Sequence, residues 1–273
     1  MKHGLAAALF IVFINITLAD DAALNQGHDG PEPMNVKAGE ESPVRMVSEE
    51  LEFHFTRART AVVARFHFLN PTARTVHQAI GFPDEALASE RANTEDPDNE
   101  VGPIENLKSF VDGRERASKV QFGYVKWAKD GSVWLPSNKK DKSGFLMAWH
   151  TLAVDFPPGK EIVVERHYDA PNGSAVYGII LFEYVVHTGS SWKGNIGKLH
   201  ATVFLEDGLT VNNLNWTPKT DPNEATVWPK RRAWKALSPA KMVLEWDDFK
   251  PSGEKGRQYL LIAVHEKPSA PAK

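Results

Sequence analysis

The residues with the clearest chemical potential lie in one loop, residues 188–197, which reads Thr-Gly-Ser-Ser-Trp-Lys-Gly-Asn-Ile-Gly. Trp192 offers a flat apolar face, and the ammonium group of Lys193 can attract an anion. The three glycines of the loop permit tight turns and close backbone approach. Two interpretations follow. The loop is a recognition site for a sugar ring or a peptide, or Trp192 folds back and closes one end of the core.

A second candidate surface combines basic residues with tryptophans. Arg231 and Arg232 stand between Trp228 and Trp234. Such a segment suits an anionic partner, but it also fits a solvated loop whose tryptophans cap the core. The predicted ligand-binding residues are therefore Trp192, Lys193, Trp228, Arg231, Arg232 and Trp234.

A third group, Trp127, Trp134 and Trp149, falls within one region of the sequence. Aromatic side chains can stack on sugar rings, which would give a glycan-binding face. Burial in the core is the commoner use of tryptophan, and we favour it here.

Several catalytic and metal-binding patterns do not occur in the sequence. The chain has no cysteine, so thiolate nucleophiles, thiolate metal sites and disulfide bonds are excluded. Neither a Gly-x-Ser-x-Gly segment nor a His-Glu-x-x-His segment is present. Neighbouring acids such as Asp247 and Asp248 would point to opposite faces of a strand. We predict no catalytic residues, no metal site and no cofactor, and we favour a protein that is not an enzyme.

The first residues have the features of a secretory signal. Lys2 precedes an almost wholly apolar run from residue 5 to residue 18, and small residues lead up to Ala19. The run is shorter than the ~20 residues that span a bilayer. We therefore predict cleavage after Ala19, no transmembrane segment in the mature chain, and a periplasmic or extracellular location. An exported chain without cysteine is typical of the bacterial periplasm.

Hydrophobic periodicity predicts an all-β protein. Leu51, Phe53 and Phe55 alternate with polar residues, and a second alternating run extends from residue 60 to residue 69. Roughly ten such runs are separated by glycine- and proline-containing turns. The predicted fold is therefore a pair of sandwich-like antiparallel β halves with long irregular loops.

The same pattern divides the chain into five segments. Residues 20–43 are rich in Gly, Pro and acidic residues, which predicts a flexible lead-in. A break near Ala170 separates the two β halves. The predicted segments are a signal peptide (1–19), the lead-in (20–43), an N-terminal β-sandwich domain (44–170), a C-terminal β domain (171–267) and a tail (268–273).

Two segments resemble a known family of exported bacterial proteins, the domain of unknown function family 4424. The first begins at Val44 and continues through the alternating hairpin that ends at Asn70 and the strand that closes at Pro83. The second, more specific one is the Thr-Gly-x-x-Trp-Lys-Gly-x-Ile-Gly pattern of residues 188–197. The resemblance implies a β-rich exported protein, and it supplies no catalytic residues.

These observations predict an exported protein of the cell envelope with a non-catalytic binding or assembly role. Its partner would be an envelope protein or an envelope polysaccharide. The alternative is a carbohydrate-active protein, either a glycan-binding module or a hydrolase with paired acids. The formal net charge of −3 provides no basic field for nucleic acid, so no nucleic-acid partner is expected. The sequence leaves the oligomeric state open.

Overall fold

A computed structural model describes residues 18–19, 21–27, 30–34, 41–92, 103–129, 134–175, 178–214, 234–249 and 259–265 of the chain. In these ranges the backbone is mainly extended, which confirms the all-β prediction. No helix in these ranges combines the length and the apolar character that crossing a membrane requires.

The first part of the chain contains nine strands and one short helix within the described residues. They are β1 (Leu18–Ala19), β2 (Ala22–Gly27), β3 (Gly30–Pro33), β4 (Arg45–Phe55), β5 (Arg59–Leu69), β6 (Val76–Asp84), α1 (Glu85–Ala92), β7 (Glu105–Val111), β8 (Arg114–Glu115) and β9 (Lys119–Trp127).

The second part adds nine strands and two 3₁₀ helices. They are β10 (Trp134–Pro136), β11 (Phe145–Phe156), β12 (Glu161–Pro171), β13 (Gly173–Ala175), β14 (Ile179–Val185), η1 (His187–Ser191), β15 (Ile196–Leu205), η2 (Val211–Asn213), β16 (Lys235–Ser238), β17 (Lys241–Phe249) and β18 (Tyr259–His265).

The described strands form two sheets. One runs in the order β10-β9-β11-β6-β1-β14-β13, with β18 paired to β14, and with β2 paired to both β6 and β3. The other runs in the order β16-β17-β15-β4-β5-β12-β7-β8. Most neighbours are antiparallel, but β15 pairs with β4, and β1 with β14, in parallel.

The alternating residues of the longest strands bury one face between the two sheets. Phe53 and Phe66 are fully buried, whereas the residues between the buried positions of β4 and β5 are partly exposed. Phe182 of the other sheet packs against Phe53, with ring centroids 5.5 Å apart. Burial of such aromatic side chains contributes a large share of the stability of a β-sandwich core.

The predicted boundary near Ala170 does not coincide with the division into sheets. It falls at the end of β12, and β15, which follows it, pairs along eight residues with β4, which precedes it. Both sheets therefore contain strands from both sides of that boundary. A break in hydrophobic pattern marks a turn, but it does not reveal which strands become neighbours.

The predicted flexible lead-in also differs from the structure. Of residues 20–43, the structure places Ala22–Gly27 and Gly30–Pro33 in a hairpin. The side chains of Ala22, Ala23 and Leu24 are buried. These few apolar residues are enough to hold the hairpin in place, because the other strands supply the apolar surface against which they pack. Of the predicted signal peptide, only Leu18–Ala19 is among the described residues, as strand β1 between β6 and β14.

Candidate functional site

Trp192 lies in the core. Its side chain is 2 % exposed, and its ring packs against Phe68 with centroids 4.4 Å apart. The preceding residues form η1, and the backbone turns out of it in an extended conformation at Trp192. This position agrees with the second interpretation of the loop, in which Trp192 folds back and closes one end of the core. Lys193, the next residue, is exposed.

The loop around Trp192 holds the N-terminal strand in place. The indole Nε1–H of Trp192 donates to the backbone carbonyl of Asp21 at 2.7 Å. The backbone N–H of Ala23 donates to Ser191 Oγ at 2.8 Å, and that hydroxyl donates to the carbonyl of Thr188 at 2.8 Å. These buried hydrogen bonds fix the register of β2 against the loop.

The β2–β3 hairpin covers the outer face of the first sheet and creates a second, smaller core. Its buried residues are Ala22, Leu24, Val125, Trp134, Met147 and Trp149. The hairpin crosses β9 so closely that a Cβ on Gly123 would lie 1.8 Å from the carbonyl oxygen of Pro31. A residue other than glycine at that position would therefore push the hairpin away.

A small cleft opens where three segments meet. The end of the hairpin contributes Pro33 and Met34, β10 contributes Trp134, and η1 with its surroundings contributes His187, Thr188, Ser190 and Ser191. Ser190 and Met34 are partly exposed, whereas the rings of Trp134 and His187 are buried. Those two rings meet edge to face, with centroids 4.5 Å apart.

Trp134, which lines the cleft, carries a buried hydrogen-bond donor without a partner among the described residues. The indole Nε1–H of Trp134 is buried and has no partner among the described residues, and the same holds for Trp149, whose ring centroid is 6.1 Å away. A buried donor without an acceptor costs about 1–3 kcal/mol. An acceptor atom that reached this nitrogen would recover that energy.

An ion pair lies in the interior beneath the loop. Two nitrogens of the Arg166 guanidinium donate to the two carboxylate oxygens of Asp21, at 2.8 and 2.9 Å, and its Nη1 donates to Ser109 Oγ at 2.6 Å. Both charged side chains are fully buried. Burial raises the pKa of Asp21, and the adjacent guanidinium opposes that rise. The pair anchors β2 to β12 and thus supports the loop and the cleft.

Glu49 is a second buried acid. Its Oε1 accepts a hydrogen bond from the Tyr184 hydroxyl at 3.0 Å, and its Oε2 has no partner among the described residues. Burial raises the pKa of Glu49 to about 8, against the lowering effect of Tyr184, and nearby Asp21 adds to the rise. Glu49 is therefore predominantly neutral at pH 7.

The other predicted ligand-binding residues are not brought to the cleft. Trp234 is half-buried, packs against the main core, and does not line the cleft. Trp228, Arg231 and Arg232 lie outside the described residues. Of the third tryptophan group, Trp134 and Trp149 are in the second core, and Trp127 packs against it.

The interior charges were not predicted from the sequence, although two of them left a signal. Arg166 follows Ile162 and Val164 at a spacing of two, and Glu49 precedes Leu51 and Phe53 at the same spacing. Continuing each alternation places both charges on the buried face. Asp21 left no such signal, because its partners are far away in the sequence.

Comparison with known proteins shows a similar fold and a family model that matches part of the chain. The chain superposes on a solved structure from Legionella pneumophila, that of a protein proposed to bind a nutrient, with a TM-score of 0.59 and 15% sequence identity over 91% of this chain and 70% of that one. An identity this low shows a similar fold only. No curated protein matches the sequence significantly. The model of the family described as "Domain of unknown function (DUF4424)" matches residues 34–147, and this confirms the predicted family resemblance over that part of the chain.

Proposed function

We propose that this chain is an exported, non-catalytic binding protein of the cell envelope, and that its ligand binds in the cleft between the β2–β3 hairpin, β10 and η1. The observation that carries the proposal is Trp134, which lines the cleft and whose buried indole N–H has no acceptor among the described residues. A binding site recovers the cost of such a donor when the ligand arrives.

Two further observations support a binding role. The fold resembles that of the Legionella protein for which nutrient binding is proposed. The described residues that line the cleft include no carboxylate. The hydrolase alternative requires two acids on either side of the bond that is broken. The fully buried acids Asp21 and Glu49 lie in the interior and do not line the cleft.

The proposal is tested by filling the cleft. The mature chain, beginning at Asp20, is screened by calorimetry against small nutrients, short peptides and fragments of envelope polysaccharide. The variant Ser190→Trp places a large ring at a partly exposed lining position, and we expect it to weaken any binding at the cleft at least ~10-fold, equivalent to about 1.4 kcal/mol.

Ser238→Trp serves as the matched control, because it makes the same change at an exposed residue of β16. Lys193→Ala shows separately whether the exposed ammonium group contributes. The proposal fails if nothing in the screen binds, or if the bound compound is held equally well by Ser190→Trp and by the control.

A further inference from the structure

We infer that one corner of the first sheet, where β9 ends and the turn between β10 and β11 crosses it, binds the surface of an anionic phospholipid membrane. This basic corner consists of four exposed lysines, Lys129, Lys139, Lys140 and Lys142. The inference goes beyond the proposed ligand binding and rests on other residues, because the described residues that line the cleft include no lysine.

The basic corner is a local excess of positive charge in a chain that is acidic overall. Between residues 126 and 142 the sequence contains five lysines and two aspartates, whereas the whole chain has a formal net charge of −3. Salt screens exposed charges beyond about 8 Å at physiological ionic strength. Acidic residues on distant faces of the molecule therefore weaken the attraction of this corner for a nearby anionic surface only slightly.

The path of the chain carries the turn between β10 and β11 over one face of β9. The two strands pair with opposite edges of β9, so residues 137–144 cross from one edge to the other. On this path Asp141 Oδ2 accepts a hydrogen bond from Lys126 Nζ of β9 at 2.7 Å. Asp141 is the only acid between residues 134 and 147. Because Lys126 already pairs with it, the charge of the turn's three lysines is not offset within the turn.

Hydrogen bonds within the turn give it a defined shape. The side-chain oxygen of Asn138 accepts from the backbone N–H of Lys140 at 3.0 Å, and Asp141 Oδ1 accepts from that of Ser143 at 3.0 Å. The polar groups of the turn are thus used internally, while its three lysines are exposed. A turn that is already ordered loses less conformational freedom on binding than a loose one.

Partly exposed leucines beside the turn favour a lipid surface over a soluble anionic polymer. Leu135 is the cross-strand partner of Lys126, and Leu146 is that of Tyr124, so both leucines lie on the face that the turn crosses. Both are only partly buried. Binding to a membrane surface combines attraction to anionic head groups with burial of apolar side chains at the acyl boundary. A hydrated polysaccharide offers little apolar surface for such burial.

The test measures binding of the mature chain to vesicles by sedimentation. Vesicles of equimolar phosphatidylcholine and phosphatidylglycerol are anionic, and vesicles of phosphatidylcholine alone are the neutral reference. Each lysine at an anionic membrane surface contributes about a fivefold factor in affinity. The triple variant Lys139→Gln, Lys140→Gln and Lys142→Gln should therefore bind the anionic vesicles about 100-fold more weakly, whereas arginine at the same three positions should retain binding.

The salt dependence gives a second readout. Binding of the unaltered chain should fall steeply between about 0.1 M and about 1 M salt, because the Debye length shrinks from ~10 Å to ~3 Å. The matched control is the triple variant Lys108→Gln, Lys160→Gln and Lys198→Gln. It changes the net charge by the same amount at exposed lysines outside the corner, and it should lose little affinity.

Three results would overturn the inference. The unaltered chain does not prefer anionic to neutral vesicles, or the control loses as much affinity as the corner variant. In the third, polygalacturonate binds more tightly than the vesicles and depends on the same three lysines, so that the partner of the corner is an anionic polysaccharide. None of these results bears on the cleft, which the screen with Ser190→Trp tests separately.

Discussion

Replacing Glu49 by glutamine should change the pH dependence of stability. In the folded chain the pKa of Glu49 is raised from 4.5 to about 8, chiefly because burial removes the carboxylate from water. The unfolded chain releases this proton near pH 4.5, but the folded chain keeps it up to about pH 8. The folded protein therefore loses stability as the pH rises through that window.

The magnitude follows from the two pKa values. Their difference is about 3.5 pKa units, and ~1.4 kcal/mol per unit gives a ceiling of about 5 kcal/mol between pH 4.5 and pH 8. Glutamine has nearly the same shape and no proton to release. The free energy of unfolding of Glu49→Gln, relative to the unaltered chain, should therefore rise with pH by about 2–5 kcal/mol across this range.

Urea denaturation at pH 5, 6, 7, 8 and 9 measures this difference. Glu50→Gln is the matched control, because Glu50 is the next residue of the same strand, faces solvent with its side chain 46% exposed, and pairs with Arg65 at 3.3 Å. An exposed pair of this kind contributes less than about 1 kcal/mol. If the Glu49→Gln difference is as flat with pH as that of the control, the carboxyl group is not held neutral in the core, and the inferred effect of burial is wrong.

Three further substitutions test how strand β2 is held in place. Arg166→Met leaves the carboxylate of Asp21 buried and unpaired, so urea denaturation should show a loss of about 3–5 kcal/mol, part of which returns when Asp21→Leu is added. Gly123→Val should push the hairpin away from the carbonyl of Pro31, and hydrogen exchange should then rise in β2 while β4 and β5 stay protected. Trp192→Phe keeps an aromatic ring but removes the donor to the buried Asp21 carbonyl, which should cost about 1–3 kcal/mol and leave β2 more open to protease.

The sequence predicts strands well where alternation is long and the partners are close. The hairpin of β4 and β5 follows from two alternating runs and a short turn, and its pairing is local. The short strands β1, β2 and β3 have no comparable pattern. They are strands because β1 pairs with β14 and β6, β2 pairs with β6, and β3 pairs with β2, and the partners β6 and β14 are not visible in a local window.

The candidate site was predictable only in part, for the same reason. The sequence singled out the loop of Trp192, and the structure shows that its indole is an internal donor to Asp21, 171 positions away. Ser190 and Ser191 lie in that loop, but Met34 and Trp134 reach the cleft from segments that no motif links to it. A cleft built from three segments that are far apart in the sequence forms only when the chain folds, so a local motif does not reveal it. A loop motif lies within one segment and can be recognised from the sequence.

The backbone of Ala23 connects the cleft with the buried ion pair of Asp21 and Arg166. Its N–H donates to Ser191 Oγ on one side of the cleft, and its carbonyl accepts from the N–H of Met34 on the other, at 2.8 Å in both cases. Two residues earlier, the Asp21 side chain is fixed by Arg166 in the interior. We therefore expect a change in the ion pair to displace both walls of the cleft, because Ala23 is hydrogen-bonded to each of them. For this reason Arg166→Met should lower both the stability of the chain and its affinity for a ligand at the cleft, although Arg166 does not line the cleft. If the variant loses stability but binds the ligand as tightly as the unaltered chain, the strand does not transmit the change.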